Sequence, residues 1–210
     1  RRRGRTAQSV SATRSLRTTS TSSLIANATL PPPERPHPAW KPGDLSDPER
    51  VVLLDGALEA CRMMRGAGYT LVVVSNQGCV ARGSATIEDV EAVNARVSEL
   101  LVDNLGGALI ERFYYCPFHP EGNVPEFTRE DDLRKPRPGM ILRASDELDL
   151  DLGRSWLIGD MPRDCEAGER AGLDAARCLL IGEEGVFADV LEAASRVVRT
   201  DAGEHGDAAS

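Results

Sequence analysis

WLIGDMPRDCEAG, residues 156–168, runs from an apolar tetrad into two aspartates four residues apart. The apolar run reads as a buried strand over 155–160, with Asp160 at its end. A short helix over 164–171 follows, and Asp164 falls in its first turn. Both carboxylates then face one point at the strand's carboxyl end, where open parallel α/β sheets gather their chemistry. Oxygen ligands in this arrangement suit a hard cation, Mg²⁺ above all. Helix capping alone would also account for Asp164.

Outward from this unit the same alternation repeats. YTLVVVSN, residues 69–76, is a β-branched run bounded by turn residues and reads as another buried strand. RFYYC (112–116) and ARCLLIG (176–182) read as two more, and RVVRT (196–200) as an edge strand. Between them lie helical stripes at 57–67, 86–105, 138–148 and near 186–195. Thr86 caps the second of these, with Asp89 three residues on, and Pro138 opens the third. Strands alternating with helices predict a mainly parallel sheet covered on both faces, a Rossmann-like three-layer α/β sandwich.

The chain has 210 residues, 41% hydrophobic and 28% charged, enough for one domain with a sizeable core. No run reaches about 18 apolar residues, so no membrane span is expected. Five cysteines, with no pair spaced C-x-x-C, favour free thiols in a reducing, cytoplasmic setting. The net charge is −8, yet residues 1–44 hold seven arginines and one lysine against only Glu34 and Asp44. The body beyond is therefore strongly acidic, which argues against nucleic acid as a partner. Residues 1–44 are rich in Arg, Ser and Thr, with six prolines between Pro31 and Pro42. They read as a disordered leader, a transit-peptide-like segment or a shifted reading frame. A domain over 45–200 and a loose polar tail over 201–210 complete the expected organisation.

Three further strand-end segments could carry chemistry. SNQ, residues 75–77, ends a strand, and the Ser75 hydroxyl with the adjoining amides could receive a phosphoryl oxygen; a plain turn is the alternative. Arg82 in VARG comes next, as a second phosphate contact or a solvated surface arginine. LRKPRPG, residues 133–139, sets Arg134 and Lys135 before a proline; Arg binds phosphate bidentately, Lys as a point charge.

The ordered set VVVSNQ, VARG, YYCP-x-HP, RKPRPGM and GD-x-x-x-D resembles the haloacid dehalogenase superfamily. Within it, the likeness is to D-glycero-D-manno-heptose 1,7-bisphosphate phosphatases and histidinol-phosphate phosphatases, over roughly Leu45 to Gly182. The resemblance implies a haloacid dehalogenase type fold with no large cap. It also implies Mg²⁺-dependent hydrolysis of a sugar phosphate, or of histidinol phosphate, through an aspartyl-phosphate. By that resemblance Ser75 steadies the transferring group and Lys135 neutralises it. Asn76, Gln77, Arg82 and Arg134 meet the substrate. Asp160 binds Mg²⁺, Met161 offers its carbonyl, and Asp164 supports the metal.

Two departures stand out. The family's D-x-D-G-T, on a central first strand, supplies the nucleophile and the acid/base, yet no aspartate precedes Asp44. Laid over it, LIANATL (24–30) puts Ile25 at the nucleophile, Asn27 at the acid/base and Ala28 at the glycine, keeping only Thr29 and Leu30. Ile cannot attack phosphorus and Asn has no proton to shuttle. The central strand is therefore expected to be degenerate or missing, and the chain as written inactive. A non-catalytic relic that binds phosphorylated ligands or a partner is the alternative. Asp44 and Asp47 read as turn or cap residues, and Asp55 as a turn residue before the first helix. Zinc is the second departure. Relatives carry C-x-H and a later C-x-C in this loop. Here Cys116 survives, but Phe118, Asp131 and Leu133 take the other places, beside His119; zinc is not expected, and packing of Pro117, Phe118 and Phe127 is expected to hold the loop. Oligomeric state is not legible.

Overall fold

The computed structural model describes residues 17–22, 46–182 and 185–203. Five parallel strands form one sheet in the order β3-β2-β1-β4-β5: β1 Arg17–Ser22, β2 Tyr69–Asn76, β3 Ile110–Cys116, β4 Leu157–Gly159 and β5 Cys178–Leu180. The helices are α1 Ala57–Gly66, α2 Cys79–Arg82, α3 Ile87–Leu100, α4 Gly139–Leu148, α5 Pro162–Ala171 and α6 Val190–Gly203.

β2 explains the layering. Its side chains alternate, as the twofold period of a strand requires. Tyr69, Leu71 and Val73 enter one apolar cluster with α1, α3 and α6. Val72 and Val74 enter the other, with Met140, Ile141 and Ala144 of α4 and Ala167 of α5. A strand buried on both faces reads as a continuous apolar run, and VVV is that run. α3 begins at the expected capping box: the Asp89 N–H donates to Thr86 Oγ1 at 3.1 Å, and the Thr86 N–H to Asp89 Oδ2 at 2.8 Å.

The sheet's centre departs from expectation. β1, with the sequence RTTSTS, pairs with β2 from Arg17↔Tyr69 to Ser22↔Val74, and with β4 at Ser20↔Leu157 and Thr21↔Ile158. A central strand thus lies upstream of LIANATL, over 17–22, within the segment expected to be disordered or misread. Three threonines give it β-branched character without an apolar pattern. LIANATL itself and Asp44 lie outside the described residues. Asp47 does cap a short 3-10 turn, accepting the Glu49 N–H at 3.0 Å.

The carboxyl-terminal edge departs too. Residues 196–200 are helical, within α6, and not an edge strand. Val190, Ala193, Ala194, Val197 and Asp201 are buried at helical spacing, and α6 packs against α1. The adjacent Val197 and Val198 suggested a strand locally; the longer stripe decides. Nor does a loose tail start at 201. Asp201 is buried, accepts the Tyr69 hydroxyl, and takes Arg177 Nη1 at 3.3 Å.

No described helix is long and apolar enough to cross a membrane. The strand order reverses at β1, between β2 and β4, which opens a crevice at the sheet's carboxyl end.

Candidate active site

The crevice is built from the two strands that flank β1. On one side β2 ends in Ser75 and Asn76; on the other β4 ends at Gly159, with Asp160 next in the chain. Gly159 makes room for the carboxylate behind it. A Cβ there would collide with the Asp164 Cβ and stand 2.9 Å from its Oδ2, so only glycine lets α5 bring Asp164 against the strand end. Asp164 is buried and its Oδ2 accepts the Met161 N–H at 3.1 Å.

Lys135 joins the two sides. Its amine, also buried, lies 2.8 Å from Asp164 Oδ1 and donates to the Val74 carbonyl at 2.8 Å. Burial pulls the ammonium below the usual lysine range, and the Asp164 carboxylate works against that fall. Asn76 fixes the loop that presents Lys135. It accepts the Lys135 N–H at 2.9 Å and donates Nδ2 to the Lys135 carbonyl at 3.0 Å, as a neighbouring strand would. Its amide therefore positions the lysine. The Lys135–Pro136 peptide bond is cis.

Gln77 acts on Ser75. Its Nε2 donates to Ser75 Oγ at 2.9 Å, leaving the serine's own proton to be given outward. Arg82 and Arg134 converge on Gly78. A Cβ built on Gly78 would lie 3.0 Å from Arg82 Nη1, 3.1 Å from His119 Cδ2 and 3.5 Å from Arg134 Nη1. Burial lowers the Arg134 guanidinium from its ordinary value, and the charges of Arg163 and Arg82 push the same way. The mouth of the crevice is therefore cationic beside a carboxylate pair.

Asp160 completes that pair. Burial, then the neighbouring Asp164 charge, raises its carboxyl to about 6. Crowded carboxyls of this kind are what a hard cation relieves. Mg²⁺ commonly takes one or two carboxylates, with waters and substrate phosphate filling its shell, so the donors fit. Among the described residues no group of three or more His, Cys, Asp and Glu side chains is placed to hold a metal. The Met161 carbonyl accepts the Asp164 N–H at 2.8 Å, within the first turn of α5. In the loop, Cys116 Sγ donates to the Phe118 carbonyl at 3.7 Å and His119 Nδ1 accepts the Glu121 N–H at 3.0 Å. Phe118 packs on Phe127 at 6.0 Å between ring centres, with Arg129 stacked on Phe118 at 3.4 Å.

All the strand-end candidates thus gather in one crevice. Gly78, Arg163 and the placement of His119 were missed, because only the fold brings these segments together.

A family model described as "HAD-hyrolase-like" matches residues 132–195. The D-glycero-alpha-D-manno-heptose-1,7-bisphosphate 7-phosphatase of Burkholderia mallei is 38% identical over 151 residues, 72% of this chain and 77% of that protein. The D-glycero-beta-D-manno-heptose-1,7-bisphosphate 7-phosphatase of Yersinia pestis is 35% identical over 131 residues, 62% of this chain and 69% of that protein. Among solved structures, a putative HAD-like phosphatase from Mesorhizobium loti superposes with a TM-score of 0.71 at 31% identity, covering 88% of this chain and 87% of that one. The D,D-heptose 1,7-bisphosphate phosphatase of B. bronchiseptica, complexed with magnesium and phosphate, shares the fold at TM-score 0.66 and 21% identity, covering 88% of this chain and 99% of that one. Fold and relatives together place the chain in the haloacid dehalogenase-like class of hydrolase folds. The chain belongs to the heptose-1,7-bisphosphate phosphatase family within it.

Proposed function

We propose that this domain binds Mg²⁺ and the phosphoryl group of a heptose-bisphosphate-type sugar phosphate, and that the chain as written does not hydrolyse it. One observation supports the binding half above all. The buried Lys135 amine is tied to Asp164 and to the Val74 carbonyl, one residue before Ser75.

Each residue has a task in this reading. Ser75, its lone pair occupied by Gln77, gives its proton to a phosphoryl oxygen. Lys135 places positive charge beside the same group, in a dry site where that charge acts strongly. Arg82 and Arg134 meet the anionic substrate at the mouth. Asp160 and Asp164 would hold Mg²⁺, which supplies further neutralisation of phosphoryl charge when bound.

The attacking half turns on β1 and the segment after it. RTTSTS contains no carboxylate, and the first aspartate of the chain is Asp44. Phosphate monoesters hydrolyse so slowly unaided that enzymes supply up to about 10²¹-fold. Positioning and charge without a nucleophile leave most of that barrier in place.

Titration calorimetry with inorganic phosphate, with and without MgCl₂, tests the binding half. Binding should require Mg²⁺ and vanish in Lys135→Met; binding indifferent to both would refute it. Phosphate release from heptose bisphosphate and from histidinol phosphate tests the other half. Release above the blank by the unmodified chain would overturn the inactivity.

A further inference from the structure

A separate cavity opens at the free edge of the sheet. β3 is the last strand on that side, and four consecutive residues, Arg112 to Tyr115, line a space of about 410 Å³. Successive side chains leave a strand on opposite faces, so a cavity touching four in a row sits astride the edge. Its volume lies within the range of about 300–1,000 Å³ typical of small-molecule sites.

The lining has two characters. Tyr114, Met140 and Phe118, one face of which Arg129 already covers, supply an apolar, aromatic floor. Arg112, Arg143 and Glu147 supply a charged rim. Glu147 lies between the two arginines, accepting Arg112 Nη1 and Arg143 Nε at 2.7 Å each. Among the lining residues themselves one carboxylate stands against two guanidiniums; Glu91, which accepts the Tyr115 hydroxyl at 3.0 Å, lies on the opposite face of the strand from Tyr114. Each guanidinium carries five N–H donors and directs one at Glu147. Both side chains are more than half exposed, so their other donors reach an incoming group. The Arg143 guanidinium also stands 6.0 Å from the Tyr114 ring centre, which brings cation and floor together.

We propose that this cavity binds a small planar aromatic anion of the aryl carboxylate or sulfonate class. The ring lies on the Tyr114, Phe118 and Met140 floor. The anionic group takes charge-assisted hydrogen bonds from Arg112 and Arg143. A strongly acidic protein repels anions in general, so a cationic rim over an aromatic floor selects the ligand locally. None of the side chains assigned to the strand-end crevice lines this cavity, although Arg134 Nη1 of the crevice mouth donates to the carbonyl of the lining residue Phe118 at 3.2 Å.

The full chain would be titrated with anilinonaphthalene sulfonate, monitored by fluorescence, and with its neutral parent phenylnaphthylamine. Saturable binding of one sulfonate per chain is expected. Arg112→Ala and Arg143→Ala should each weaken it about tenfold while leaving the neutral probe unchanged. No saturable binding, or equal loss of both probes, overturns the proposal. Should either variant unfold, benzoate titrated into the unmodified protein decides by NMR. Shifts confined to the amides of 112–115 and the Met140 methyl support the site, and shifts elsewhere refute it.

Discussion

Lys135 concentrates the consequences of the crevice in one side chain. Removing one partner of a buried ion pair leaves the other charge stranded, at a cost of about 3–5 kcal/mol. Lys135→Met should therefore lower the unfolding free energy read from urea titration by that order, whereas Lys135→Met with Asp164→Leu should recover much of the loss. At Gly78, alanine would press on Arg82 and His119, at 3.0 and 3.1 Å. Gly78→Ala is expected to weaken phosphate binding about tenfold by displacing those guanidinium and imidazole edges, with the thermal midpoint little changed. Asp160 yields a pH test. With its carboxyl raised to about 6, it holds a proton below that pH and must release it to bind a cation. The rise in melting temperature on adding MgCl₂ should thus be large well above pH 6 and small well below it. Ser75, Lys135, Asp160 and Asp164 could be singled out in the sequence as candidates because each sits beside a strong local signal, an apolar run or a proline. The positioning role of Asn76 was not. Its partner lies 59 residues away, and no local pattern records that distance.

Elements were legible wherever periodicity and capping agreed. Thr86 and Asp89 announced α3, and VVV announced β2. β1 escaped because hydroxyl side chains carry neither period, so only its pairing on both sides identifies it. That pairing makes a backbone test. Ser20 stands opposite both Val72 and Leu157, so Ser20→Pro removes a ladder donor in the middle of the sheet. A loss on the order of 3 kcal/mol is expected by denaturant titration. α6 was half legible, its amino end found and its carboxyl end taken for a strand and a tail. Its last turn matters, since Asp201 satisfies the buried end of Tyr69. Asp201→Ala would remove that hydroxyl's buried acceptor at a cost of about 1–3 kcal/mol, read as a lower thermal midpoint. Unchanged stability would restore the tail to irrelevance.

At the scale of the whole molecule, alternation gave the class, and β1 gave the order. A parallel α/β sheet is implied by strands spaced by helices, but no local feature says which strand lies in the middle. Acid behaviour also belongs here, because Glu147 ties α4 to β3. Arg143, then Arg112, hold its carboxyl down at about 2, below the unfolded value of about 4.3. A depressed carboxyl contributes stability that is whole above the unfolded value and is lost as pH falls toward about 2. Glu147→Gln should lower stability modestly at neutral pH, where that contribution is whole, and change little near pH 2, where it is already lost, so that the acid limb flattens over that window. The bond from Lys135 to Asp164 has a reach beyond its own pocket. One end is moored to β2 through Val74 and Asn76, the other to α5 behind β4, so the amine works as a clasp drawn across the top of β1. Whatever occupies the crevice is then felt along the seam below. Slower amide exchange in β1 on adding phosphate with Mg²⁺ would mean the clasp has tightened; faster exchange would mean the ligand had prised it open.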